Sequence, residues 1–158
     1  MARCARVSDG CASYSPRHDE CVVPAEPTVT AGSGSGPVRV TVVPKPWGHE
    51  TIWAHTDQYV GKVLHIKAGH SLSVQYHDRK DETIHLLSGE MIYRVSNGRE
   101  EPLREVRLRI GDSYRNTPGH IHQMEAVTDC DVLEASTPHL DDVRRLSDRY
   151  GRAGTSQP

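Results

Sequence analysis

From Val38 onward the chain is a succession of short β-branched and alternating segments, broken by turn chemistry about every 8–12 residues, the pattern of an all-β sandwich or barrel. The breaks fall at Ala68-Gly69, Ser88-Gly89, Ser96-Asn97-Gly98, Gly111-Asp112 and Pro118-Gly119, pairs that favour turns over continued strand. Strands are predicted over residues 38–43, 50–53, 59–66, 71–77, 83–87, 91–95, 105–109, 121–126 and 131–135. After Pro138, Leu140, Val143 and Leu146 recur with charges between them, which predicts one short C-terminal amphipathic helix packed on the barrel. The expectation is a single small all-β barrel.

Residues 1–36 differ in kind, with Ser, Pro, Cys and Gly in place of alternating apolar residues and a closing run of Gly and Ser. This reads as a disordered tail ending in a flexible linker, followed by the barrel over 37–152 and a flexible C-terminus over 153–158. Cys4, Cys11 and Cys21, with His18 nearby, lack the paired C-x2-C spacing of common zinc sites, so reduced thiols are the simpler reading. Cys130 reads as a small structural residue at a strand start. A net charge of −2 with mixed signs gives no field that would recruit nucleic acid or an anionic membrane. No apolar run approaches the roughly 18 residues of a membrane span, and the first residues lack a secretory signal, so a cytoplasmic protein is expected.

Ten histidines among 158 residues raise the question of which are metal ligands. In residues 71–77, period-two alternation puts Ser71, Ser73, Gln75 and His77 on one face and Leu72, Val74 and Tyr76 on the other. Glu82 follows near enough for a hairpin to return its carboxylate to the same cavity. His122 opens another strand after the turn at Pro118-Gly119. Two imidazoles, a carboxylate and an amide oxygen suit one divalent metal ion, Zn first, with Mn, Fe and Ni compatible.

The spacing of Gly69, Gln75, His77, Glu82 and Gly89 fits the motif G-x5-HxH-x4-E-x6-G, with Gln for the first His. Gly111, Thr117, Gly119 and His122 fit G-x5-PxG-x2-H, with Thr for Pro. Here the chain resembles the cupin superfamily, whose members fold as a small jelly-roll barrel with a metal inside. Over most of residues 43–152 it is similar to the C-terminal cupin domain of the type II mannose-6-phosphate isomerases. The matching pieces are Pro46-Trp47-Gly48, Lys62, residues 72–77, Glu82, Gly89, His122, Glu134 and the ending from Asp141 to Arg152. The resemblance implies Gln75, His77, Glu82 and His122 as metal ligands. It departs where the family commonly reads HHHRAEHW and this chain reads HDRKDETI from His77, which exchanges an Arg for Lys80. It departs again after Glu134, where the family's EVQ gives way to Glu134-Ala135-Ser136. The substrate is therefore open.

A sugar-phosphate isomerase would exchange aldose and ketose through a cis-enediol, with a base taking the proton beside the carbonyl while a metal stabilises the oxyanion. Glu134 is the first candidate base, on a strand sharing the inward face, and His120 the second; pairing with an Arg or pointing to solvent are their plain alternatives. Lys62, Lys80 and Arg152 are available at the mouth for a phosphate. Of the other histidines, His85 is expected to face away from the metal and His70 outward; His49, His55 and His139 belong to loops or element ends, and His65 is unassigned. Trp47 is expected to anchor the barrel. The competing classes are another metal-dependent cupin enzyme (dioxygenase, lyase, decarboxylase or epimerase) and a non-catalytic sugar-binding cupin. The partner is expected to be a small molecule, and an outer face bearing Leu72, Val74 and Tyr76 suits a homodimer.

Overall fold

A computed structural model describes residues 35–152. The expectations for the N-terminal tail up to residue 34, its three cysteines included, and for residues 153–158 lie outside the described residues. The strands are β1 (Thr41–Lys45), β2 (Gly48–His55), β3 (Val60–Ile66), β4 (Val74–Tyr76), β5 (Glu82–Ser88), β6 (Met91–Ser96), β7 (Arg104–Leu108), β8 (Ser113–Asn116), β9 (Ile121–Ala126), β10 (Cys130–Ser136) and β11 (Arg144–Ser147). They form two antiparallel sheets, in the orders β1-β2-β3-β10-β5-β8 and β11-β4-β9-β6-β7. This is the expected all-β jelly-roll.

Alternation decides which side chains enter the space between the sheets. The inward row of β3 is Val60, Lys62, Leu64 and Ile66; that of β10 is Cys130, Val132, Glu134 and Ser136. β5 sends in Glu82, Ile84 and Leu86, β6 sends in Met91, Tyr93 and Val95, and β9 sends in His122, Met124 and Ala126. Leu64, Ile66, Ile84, Leu86, Met91, Tyr93, Met124, Val132 and Trp47 close one core. The inward rows of β3, β5, β9 and β10 carry polar or charged residues toward one end, and register aligns them: Lys62 opposite Glu134, Glu82 opposite Asn116, Gln75 opposite His122. The barrel thus has an apolar end that holds it together and a polar end that carries chemistry. Trp47, 1% exposed, and Cys130, 0% exposed, are core residues as expected.

Three expectations are corrected. No C-terminal helix forms: residues 137–142 are turns and residues 144–147 become β11, which pairs with β4. β4 has β9 on one side only, and its other edge satisfies its backbone groups by taking this segment as a strand. Three apolar residues over two turns were too few to hold a helix against that pairing. Leu72 packs against the core instead of the outer face. Ser71 makes only an isolated bridge to Glu125, so regular alternation begins at Val74. Finally, β8 was not anticipated; its Ser-Tyr-Arg-Asn sequence lacks the apolar alternation that marks a strand.

Candidate metal centre and cavity

His77, Glu82 and His122 are each at least 97% buried, and their ligand atoms all lie within 4.8 Å of one another. Glu82 Oε1 is 3.1 Å from His122 Nε2, and Glu82 Oε2 is 3.5 Å from His77 Nε2. Ligand bonds of about 2.0–2.2 Å in a tetrahedral shell put neighbouring donor atoms about 3.4 Å apart, so these spacings fit a divalent ion.

The second ring nitrogens fix the tautomers. His77 Nδ1 bonds the Asp142 carbonyl, and His122 Nδ1 bonds the His120 carbonyl at 3.0 Å. A carbonyl only accepts, so each Nδ1 carries the proton and each Nε2 presents a lone pair to the cavity. His77 Nε2 is buried without a hydrogen-bond partner. A buried lone pair in that state carries a desolvation cost of about 1–3 kcal/mol unless something electrophilic meets it. The residues present therefore fit a metal ion. Gln75 lies beside them, with its amide nitrogen 3.5 Å from His122 Nε2 while Ser73 Oγ donates to its Oε1 at 2.7 Å. For Gln75 to serve as a ligand the amide must turn over, exchanging its oxygen and nitrogen.

The chain positions these groups through two turns. Asp142 accepts from the backbone N–H groups of Asp78, Arg79 and Lys80 at 3.1, 2.6 and 2.8 Å, which binds the loop after His77 to the C-terminal segment. Gly119, with φ +82, turns the chain into β9 and donates its N–H to the His77 carbonyl at 2.8 Å. One backbone bond thus ties together the segments that carry the two histidines.

Next to the triplet runs a ladder of alternating charge. Lys80 Nζ contacts Glu82 Oε2 at 2.5 Å and Glu134 Oε1 at 2.6 Å. Glu134 meets Lys62 at 3.7 Å, Lys62 meets Glu50 at 3.6 Å, and Glu50 meets Lys45 at 3.6 Å. Burial opposes each charge, and the partners win. Glu134 and Glu82 push the Lys80 ammonium above its ordinary pKa. The charge of Lys80 outweighs burial and holds Glu82 well below the usual carboxylate range. Lys62 and Lys80 hold Glu134 low. Burial, then the charge of Glu82, pushes the Tyr93 phenol well above its usual value.

The structure brings Gln75, His77, Glu82, Lys62, Lys80, Glu134 and Arg152 onto one cavity of about 60 Å3, room for several waters or a hydrated ion. Lys80 sits inside, engaged by two carboxylates, rather than at the mouth. Arg152 lines the cavity but spends its guanidinium on Asp148, at 2.7 and 2.9 Å. His120 does not line it; its ring stacks on Tyr114, and burial, followed by His122 and Arg104, draws its pKa below the ordinary value. His85 lies on the outer side, bonded to Ser113 Oγ at 2.9 Å, and His70 bonds the Tyr150 hydroxyl at 2.9 Å. The sequence reading missed Asn116, fully buried, whose Nδ2 donates to Glu82 Oε1 at 3.0 Å and to the Tyr93 hydroxyl at 2.6 Å. An Asn at the end of a strand was the one signal, hidden because β8 itself was not foreseen.

No protein-family model matches the chain, and no curated protein matches it. Solved structures do. The chain is similar to KdgF from Halomonas sp. at 20% identity, covering 64% of this chain and 88% of that one, with a TM-score of 0.55. It is similar to an RmlC-like cupin from Shewanella frigidimarina at 16% identity, covering 68% and 92%, with a TM-score of 0.56. A third is the capsular polysaccharide assembling protein CapF from Staphylococcus aureus, at 18% identity over 72% of this chain and TM-score 0.54; the chain spans 32% of that protein's length. These likenesses show the cupin fold. No helix among the described residues is long and apolar enough to cross a membrane.

Proposed function

We propose that this chain is a metal-dependent enzyme of cupin fold that moves a proton beside the carbonyl of an anionic sugar, as an aldose–ketose isomerase acting on a sugar phosphate. The observation that carries the reading is the contact of the Lys80–Glu134 pair with Glu82 of the His77–Glu82–His122 triplet. The likeness of residues 43–152 to type II mannose-6-phosphate isomerases points the same way. The cavity wall carries Lys45, Lys62, Lys80, Arg145 and Arg152 with Glu50, Glu82 and Glu134, and Asp148 sits on Arg152, which leaves a small excess of positive charge that favours an anion.

His77, Glu82 and His122 would hold the ion, with Gln75 as the fourth donor; the bound ion would supply Lewis acidity toward a substrate oxygen. Glu134 would take the proton from the carbon beside the carbonyl. Lys80 and Lys62, on the same carboxylate, hold it ionised and in place. Returning that proton to the neighbouring carbon, while the hydroxyl proton passes from one substrate oxygen to the other, completes the cis-enediol exchange. Lys62 and the cations nearer the mouth would face the phosphate.

The test is deuterium exchange in heavy water across a panel of aldose and ketose phosphates with the metal-loaded protein. Exchange at the carbon beside the carbonyl of one substrate supports the reading, provided Glu134→Gln abolishes it at unchanged metal content; no exchange with any of them overturns it. The departures at Lys80 and after Glu134 favour, as second reading, another metal-dependent chemistry on this scaffold, whose solved examples include an oxalate decarboxylase from Bacillus subtilis. Oxygen uptake or carbon dioxide release with a small acid would distinguish it.

A further inference from the structure

The outer face of the six-stranded sheet carries a polar row that the cavity chemistry does not use. His49 of β2 is the register partner of His65 of β3, His65 of Asp131 of β10, and Asp131 of Ser88 of β5. Direct partners on adjacent strands share a face, so these four side chains stand side by side. They are joined: His65 Nδ1 lies 2.8 Å from Asp131 Oδ1, and Ser88 Oγ donates to Asp131 Oδ2 at 2.9 Å. The Asp131 N–H returns a bond to Ser88 Oγ at 3.1 Å. The imidazoles of His49 and His65 stack with centroids 5.0 Å apart and planes 26° apart.

Two details make this more than a packed pair. Asp131 fixes the tautomer of His65: with Nδ1–H donated to the carboxylate, Nε2 is the lone-pair nitrogen and lies on the far side of the ring. His49 makes no side-chain hydrogen bond among the described residues, so its ring nitrogens are not taken up by a protein donor or acceptor while its ring lies against that of His65. The pairing is also rigid. Gly48 has φ +149, and a Cβ there would fall 1.9 Å from the His65 carbonyl oxygen, so only glycine lets β2 approach β3 at this point.

We propose that His49 and His65 form a second metal site, on the outer face of the barrel, for a divalent transition ion that prefers imidazole, such as Cu(II), Ni(II) or Zn(II). Asp131, itself held by Ser88, is its orienting carboxylate, the arrangement that commonly backs a ligating histidine. With two protein donors the site binds more weakly than the three-residue group inside the barrel and leaves positions for water. It does not depend on the function proposed for the cavity.

The test is titration of the full chain with Cu(II), followed by electron paramagnetic resonance. His77→Ala/His122→Ala is expected to retain one ion with nitrogen coordination. Adding His49→Ala and His65→Ala should abolish that signal, and Asp131→Asn should weaken binding about 10–100-fold. An unchanged signal in the fourfold variant, or sulfur coordination from Cys4, Cys11 or Cys21 in its place, overturns the site. Should that variant fail to fold, paramagnetic broadening in the wild-type protein decides: amide signals around His49 and His65 must broaden at substoichiometric Cu(II), and their persistence refutes the proposal.

Discussion

The ammonium of Lys80 lies 2.5 Å from Glu82 Oε2, so the carboxylate placed to bind a metal ion already holds a cation. Lys80 is 4% exposed, and its other contact is Glu134. Removing one partner of a buried ion pair costs about 3–5 kcal/mol, because the other charge is left uncompensated. Lys80→Met is therefore expected to lower the melting temperature of the metal-free protein. A divalent ion on Glu82 would replace the lost positive charge, so saturating Zn(II) should raise the melting temperature of the variant more than that of the wild type. Calorimetry with and without metal checks this, and equal shifts in the two proteins would refute it.

His77→Ala and His122→Ala are each expected to lower metal content sharply. Loss of an outer partner alone weakens metal binding about 10–100-fold, and loss of a direct ligand should exceed that. His85→Ala, on the outer side, should leave metal content unchanged. Metal analysis of the three purified variants decides; full occupancy in the first two would sink the ligand assignment.

Much of the site was legible because it obeys alternation. Lys62, Glu134 and Glu82 sit on strands whose apolar neighbours at every second position fix the inward face, and the turn glycines set the spacing to Gln75 and His122. Lys80 was not legible in depth, because it lies in the loop between β4 and β5, where no period says which way a side chain points. What turns it inward is Asp142, which caps the backbone of that loop from far along the chain. Leu72 misled for a related reason: alternation was extended back through residues whose backbone is not regular strand. The C-terminal helix failed on a tertiary demand, the open edge of β4, that no local pattern records.

Gly61 lies under the ring of Trp53, where a Cβ would fall 2.3 Å from the nearest ring carbon. Trp53 is 42% exposed, so the ring has solvent to move into. Gly61→Ala is expected to push the indole off β3 at a cost of about 1–3 kcal/mol, the range for small-to-large changes at packed positions. Tryptophan emission should shift to the red as the ring gains water, and the denaturant midpoint should fall. An unchanged spectrum would mean that the ring does not cover Gly61 in solution.

Asp142 gives the stability a specific acid dependence. Burial raises its pKa, but the N–H groups of Arg79, Lys80 and Asp78 outweigh this and hold it below the ordinary aspartate value of 3.8. A carboxyl depressed on folding stabilises the native state above its unfolded pKa, and that stabilisation is lost as pH falls through the folded value. Asp142→Asn keeps one acceptor oxygen, loses the charge and turns an amide donor toward backbone donors, a change expected to cost about 1–3 kcal/mol near neutral pH. The gap between wild type and variant in urea unfolding should stay constant from about pH 7 to pH 5 and narrow as the pH drops below about 3.8, because the wild-type carboxyl is then protonated as well. A gap that persists unchanged at about pH 2 would show that the three backbone bonds, rather than the charge, carry the whole effect.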